Sequence, residues 1–296
     1  MLDMEYNLEN GFLRLTFSSL GGELRSIINK KNGREYLWQG NPEFWTGRSP
    51  NLFPIVGRIK EGKYRFGGKE YSIKSPHGFV RISELDVKEK TDKSLTFAIS
   101  SCEETLKVYP FDFDFEVSYT LEDNRIAVKY DIRNTGDKTM YFSVGAHPGF
   151  NIPINEGEKF EDYSIVFEND CEPNEVICEN CYITGEKRPF SLKDKRILPL
   201  RHNLFDNDAI ILADMKSRKL SVCSEKSDSS ITVDFADFDY LGIWHKPMTE
   251  APYVCIEPWN GLPSEVVSNE ELTIKPAIIA LDTGKEYLAA YAIEIM

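Results

Sequence analysis

The sequence predicts an all-β protein of antiparallel sheets packed face to face as a sandwich. Three observations predict it. Apolar residues recur with a period of two, and Gly, Pro, Asn and Asp interrupt the apolar runs at short intervals. A 3.6-residue apolar spacing never persists for three helical turns, so no crossover helices are available to join parallel strands.

The elements follow in order. A first strand is expected over 12–17. Lys63–Phe66 and Tyr71–Ile73 form a hairpin across Gly67-Gly68, whose glycines supply the positive φ angles of a two-residue turn. A strand over 95–100 precedes the longest alternation, in which Phe111, Phe113, Phe115, Val117 and Tyr119 interleave with Asp112, Asp114, Glu116 and Ser118. After the turn-like stretch Leu121-Glu122-Asp123-Asn124, the residues Ile126, Val128, Tyr130 and Ile132 take one side, giving a hairpin with one buried and one solvated face. Further strands are expected at 141–144, 163–167, 210–213, 220–223, 231–235, 253–256 and 287–295. No repeat, low-complexity tract or shift in composition divides the chain, and a single domain over 1–296 is expected.

With 41% hydrophobic and 12% aromatic residues, the 296-residue chain has the material for a large core. Its 35 basic against 48 acidic residues, a net charge of −13, argue against a nucleic-acid partner, whose phosphates need a basic footprint. The N-terminal residues lack the basic flank and apolar run of a signal peptide, and no stretch approaches the roughly 20 apolar residues of a membrane helix. A cytoplasmic protein is expected, with its six cysteines as unpaired thiols. Cys178-x-x-Cys181, with Cys171 and His202, has metal-ligand spacing, but a zinc ribbon normally shows two such pairs. No metal is expected.

Two histidines stand beside Pro and Gly, in Ser75-Pro76-His77-Gly78-Phe79 and Ala146-His147-Pro148-Gly149-Phe150, where the backbone is fixed or freed to aim a side chain. Arg58 sits among apolar neighbours in Pro54-Ile55-Val56-Gly57-Arg58-Ile59 and must snorkel or meet a buried acceptor. Glu257, between an apolar strand and Pro258-Trp259, is expected at a sheet end or mouth. On these grounds alone, each is more readily a packing residue than a catalyst. Trp244, Trp259 and Phe238 could line a pocket or an interface, and the sequence fixes no oligomeric state.

Taken together and in order, Gly57-Arg58-Ile59, His77-Gly78, His147-Pro148-Gly149-Phe150-Asn151 and Glu257-Pro258-Trp259 resemble the motifs of the aldose 1-epimerase (galactose mutarotase-like) family, best its LacX-like subgroup. The resemblance covers nearly the whole chain. It implies a large antiparallel β-supersandwich that interconverts the anomers of an aldose without a cofactor. It also implies His147 as general acid, Glu257 as general base, and His77 and Arg58 as groups that bind or polarise the sugar. A further sugar-binding aspartate precedes a hydrophobic strand; Asp208 fits that place best, with Asp206 as the alternative. The chain departs from galactose-specific members at Gly149, where they carry an aromatic residue, and at Ser75-Pro76, where they approach the earlier histidine through an asparagine. The departures leave the proton-transfer groups intact and put galactose itself in question.

Opening a hemiacetal removes a proton from the anomeric hydroxyl while another reaches the ring oxygen, and a carboxylate with an imidazole can hold these opposite states near neutrality. A neighbouring Asp208 or Glu257 is expected to favour the imidazolium of His147 and raise its pKa. Three rival readings remain at this point. One is a sugar-binding module without turnover. Another is a glycoside hydrolase, which would need two carboxylates roughly 5–9 Å apart. The third is an epimerase for a phosphorylated hexose, with Arg58, Arg81 and Lys246 as phosphate ligands.

Overall fold

The computed structural model describes residues 3–296 and is built almost entirely of antiparallel strands. A nine-stranded sheet runs in the spatial order Ile197–Pro199, Tyr163–Phe167, Lys219–Ser224, Ser230–Asp234, Glu286–Ile295, Arg125–Asn134, Phe113–Glu122, Ser94–Ser100 and Asp86–Lys90. Against it lies a second sheet in the order Tyr182–Pro189, Asn174–Glu179, Ile210–Ala213, Tyr240–Trp244, Tyr253–Asn260, Val144–Ala146 and Asn51–Leu52. The short strand Gly149–Asn151 also pairs with Tyr253–Asn260. The N-terminal strands Glu5–Glu9, Leu13–Ser18, Glu23–Asn29 and Arg34–Glu35 form a separate four-stranded sheet. One α-helix, Glu103–Val108, occurs among the described residues, and none is long and apolar enough to cross a membrane.

Alternation decides which face each residue takes. In Phe113–Glu122 the burial pattern switches strictly at every residue, and Phe113, Phe115, Val117 and Tyr119 enter the core between the sheets. The hairpin turn is tighter than expected: pairing continues to Glu122↔Arg125, and Asp123 takes the positive φ of 49°. At the other hairpin, Gly67 and Gly68 have φ of 57° and 76°, as a two-residue turn requires. The expected strand over 141–144 is two strands, Met140–Phe142 and Val144–Ala146, which pair with different partners.

The second sheet differs from the first because both of its faces are covered. Along Tyr253–Asn260 every residue is buried. Val254 and Ile256 pack into the main core, whereas Tyr253, Cys255 and Trp259 belong to smaller clusters on the opposite face. The same division holds next door, where Ile210 and Leu212 face the core and Ile211 and Ala213 face away from it. That outward face is the floor of the site.

Candidate active site

Glu257 is not at a sheet end. It lies inside the strand Tyr253–Asn260, opposite Gly242 of Tyr240–Trp244, and is 1% exposed. The strand continues through Pro258, whose missing N–H would terminate a ladder in most central strands. Here the ladder is already interrupted. On that edge Val144–Ala146 stops, His147 and Pro148 intervene, and pairing resumes at Gly149–Asn151. The Ile256 N–H donates to the Pro148 carbonyl at 3.1 Å, so by strand alternation the Pro258 nitrogen faces the same gap. The break that frees His147 from the sheet thus accommodates the proline following Glu257.

The two side chains meet across this gap. His147 Nε2 lies 3.2 Å from Glu257 Oε2, yet Oε2 has no partner in hydrogen-bonding geometry, and neither does His147 Nδ1. Burial dominates both groups. It holds the Glu257 carboxyl well above the usual carboxylate range, helped by the Asp208 charge and opposed by the Trp259 indole, whose Nε1 lacks hydrogen-bonding geometry. It holds the His147 imidazole well below its ordinary value, reinforced by His77 and Arg81. The expectation that Asp208 or Glu257 would raise the pKa of His147 is therefore reversed: desolvation outweighs the attraction of one carboxylate. Both shifts run toward the neutral forms, the carboxylic acid at Glu257 and the imidazole at His147.

Glycines shape the floor around the pair. A Cβ on Gly242 would lie 3.1 Å from Glu257 Cβ and 3.0 Å from the Trp259 ring, and one on Gly145 would lie 2.8 Å from Trp259 Cδ1. Both strands flanking Trp259 must be bare there for the indole to lie across them.

His77, Arg58, Asp208 and Asp206 all line the same cavity of about 1240 Å³ as His147 and Glu257. His77 has φ of 64° and is clamped from Gly57: its N–H donates to the Gly57 carbonyl at 2.7 Å, and its Nδ1 accepts from the Gly57 N–H at 3.2 Å. That leaves Nε2 as the proton-bearing nitrogen of the neutral ring. Burial, with Arg81 and Arg58 nearby, pushes the His77 pKa down to about 3. Arg58 snorkels: it is exposed on the cavity wall and finds no buried carboxylate. Asp208, at φ 78°, accepts from Trp244 Nε1 at 2.8 Å, whereas Asp206 is exposed. Arg81 also lines the cavity with its Nε unpartnered, but the Lys246 ammonium donates to the Glu43 carbonyl and lies outside the lining.

The Cys171–Cys178–Cys181–His202 set is not assembled. Cys171 is in the main core and His202 pairs with His245, while Cys178 and Cys181 line the cavity. The described residues hold one cluster with metal-ligand spacing, His147, Cys255 and Glu257, with donor atoms within 4.8 Å of one another. Burial and the Glu257 charge push the Cys255 thiol well up, which disfavours the thiolate a metal requires. Of the aromatics named from sequence, Trp244 and Trp259 line the cavity and Phe238 is in the main core. Sequence reasoning missed Trp45, which also lines the cavity; its only local signal is the glycine two residues on, Gly47.

The family model for aldose 1-epimerase matches residues 4–277. The chain is 37% identical over 293 residues to the chromosomal LacX protein of Lactococcus lactis subsp. lactis, covering 96% of this chain and 97% of that one. Among solved structures, a galactose mutarotase related enzyme from Lactobacillus acidophilus superposes with a TM-score of 0.94 at 33% identity, covering 99% of this chain and 97% of the other. A galactose mutarotase-like protein from Lactobacillus casei gives 0.93 at 33% identity, covering 99% and 100%. The architecture is thus the large antiparallel β-supersandwich of the galactose mutarotase-like proteins, and the chain belongs to the aldose 1-epimerase family.

Proposed function

We propose that this protein is an isomerase that interconverts the α and β anomers of an aldose by opening and reclosing the sugar ring. The observation that carries the proposal is the buried His147–Glu257 pair, 3.2 Å apart on the floor of a cavity of about 1240 Å³ with hydrogen-bonding capacity unused. The anomeric hydroxyl and the ring oxygen are bonded to one carbon, so two groups this close reach both. Glu257 takes the hydroxyl proton and His147 protonates the ring oxygen. The open aldehyde rotates about C1–C2, and reclosure returns each proton. The pair carries one transferable proton throughout. Moving it from Glu257 to His147 generates the acid and the base together, and the sugar hydroxyl stabilises the carboxylate by hydrogen bonding. Arg58, His77 and Asp208 bind the sugar hydroxyls, and His77 offers Nε2–H where negative charge develops. No step requires a metal or organic cofactor. The unpaired thiols accord with a reducing, cytoplasmic setting.

A second substrate class has one specific observation in its favour: Arg58 and Arg81 line the cavity without a carboxylate within ion-pair distance, and Arg81 Nε is unpartnered. A phosphorylated aldose would supply the missing anion. Polarimetry on pure α-glucose, α-galactose and α-glucose 6-phosphate tests both readings. Glu257→Gln and His147→Asn, correctly folded, should each slow anomerisation by roughly 10²–10⁴. Wild-type rates in either variant would remove the assignment, and failure to accelerate any aldose would favour a binding module.

A further inference from the structure

A histidine that transfers protons is usually aimed through its second ring nitrogen, anchored on a carboxylate or carbonyl. His147 lacks that anchor, because its buried Nδ1 has no partner. Its ring is held by other rings. The Trp45 indole stacks on the imidazole at a centroid distance of 4.7 Å and an interplanar angle of 26°. Trp244 meets it edge-on at 5.6 Å, and His77 does so at 5.2 Å.

Trp45 is itself fixed. A Cβ on Gly47 would fall 2.5 Å from Trp45 Cζ2, and one on Gly149 would fall 3.0 Å from Cζ3, so the indole occupies space that two glycines leave open. Its carbonyl accepts the Trp38 indole N–H at 2.7 Å, and the Tyr253 ring stacks on it at 5.8 Å. The sequence gap at Gly149 is therefore filled in space by an aromatic ring from a segment a hundred residues earlier.

We propose that Trp45 is the positioning residue for the His147 imidazole, and that it acts through Gly149 as one coupled wall, the glycine giving the indole its seat. Stacking blocks rotation of the imidazole about its side-chain bonds and keeps water off its face. The charged and titratable groups that also face the ring are Glu257, which attracts the imidazolium, and His77 and Arg81, which repel it; the Cys255 thiol lies beside the pair. None of these changes when the indole is removed, so its removal is read through solvent access and ring orientation.

The kinetic half of the test rests on the anomerase reading; the spectroscopic half does not. With Trp45→Ala, kcat should fall at least tenfold with a smaller change in KM, and the NMR titration of the His147 ring should move up toward the ordinary histidine range. Trp45→Phe should restore most of both. Gly149→Ala should press on the indole and lower kcat in the same direction; its Cβ would also lie 3.2 Å from Cys255 Sγ and 3.4 Å from Trp38 Cβ, so it is read beside the Trp45 variants and not in place of them. A ring titration and kcat unmoved in folded Trp45→Ala would overturn the proposal. If Gly149→Ala does not fold, the Ala and Phe variants at Trp45 decide it alone. Wild-type protein inert on every aldose would sink the anomerase reading, while the ring titration would still report on Trp45.

Discussion

A carboxyl group and an imidazole buried 3.2 Å apart titrate as a unit, and the direction of each shift sets the working range of the site. In the proposed mechanism the pair is competent while it holds one proton. A second proton must enter a pair whose imidazole burial holds well below 6.5, and the last proton must leave a carboxyl that burial holds well above 4.5. The acid limb of kcat/KM is therefore expected clearly below pH 6.5. An acid limb centred at or above 6.5 in a pH series of initial rates would contradict this electrostatic picture. At this scale the sequence announced His147, Glu257, His77, Arg58 and Asp208 through their motifs, and all five line one cavity. It could not announce Trp45, because stacking on His147 is a contact between segments with no shared pattern. It also misjudged the charge on His147, because the degree of burial is a property of the assembled sheet.

The strand Tyr253–Asn260 carries the site because its neighbours are shaped for it. Gly242 lies directly opposite Glu257, and an added methyl group would press on both Glu257 Cβ and the Trp259 ring. Gly242→Ala is expected to cost about 1–3 kcal/mol of stability, the usual penalty for overpacking. It should also slow anomerisation, as checked by denaturant melts and polarimetry on the same sample. An activity loss without a stability loss would mean that the methyl group is absorbed by the floor alone. Elements with clean alternation, such as Phe113–Glu122, were legible in the sequence. Asn174–Glu179 and Tyr182–Pro189 were not, since their side chains are largely polar and partly exposed at the sheet's end. The sequence puts Glu257 at a sheet end or mouth because proline normally stops a ladder. Only the neighbouring strand's gap, a long-range feature, lets the strand run on.

Across the whole molecule, three of the four histidines are held neutral in the folded state by burial. His245 is the simplest to treat. It is fully buried, its Nδ1–H donates to the Lys246 carbonyl, and its Nε2 accepts from His202 Nδ1 at 3.1 Å. Its pKa is pushed down to about 4, first by burial. Unfolded histidine protonates near 6.5, so between these values position 245 binds more protons in the unfolded chain, and its contribution to stability falls as the pH falls through that window. His245 alone should account for a loss of about 2 kcal/mol between pH 7 and pH 5, with His77 adding in the same direction. Urea unfolding at the two pH values measures it, and His245→Gln should flatten the difference. Buried Glu257, whose carboxyl is held well above the usual range, works in the opposite direction, so the test is the comparison: a pH dependence identical in His245→Gln and the parent chain would contradict the neutral assignment. The sandwich architecture itself was readable from alternation and turns. What sequence could not supply is the packing that turns one sheet's outer face into a cavity floor.

The floor strand uses alternate side chains for two tasks, Val254 and Ile256 for the core and Glu257 and Trp259 for the cavity. Selection can therefore not tune one task there without disturbing the other, because a core change shifts the carboxylate carried by the adjacent residue. Changes of the cavity wall are easier at segments that touch the cavity without spanning the core: the Trp45 loop, the Cys178–Cys181 turn and the stretch from Asp206 to Asp208. A library confined to those segments should yield altered preferences among stable proteins, whereas one directed at residues 253–260 should yield mostly unfolded ones.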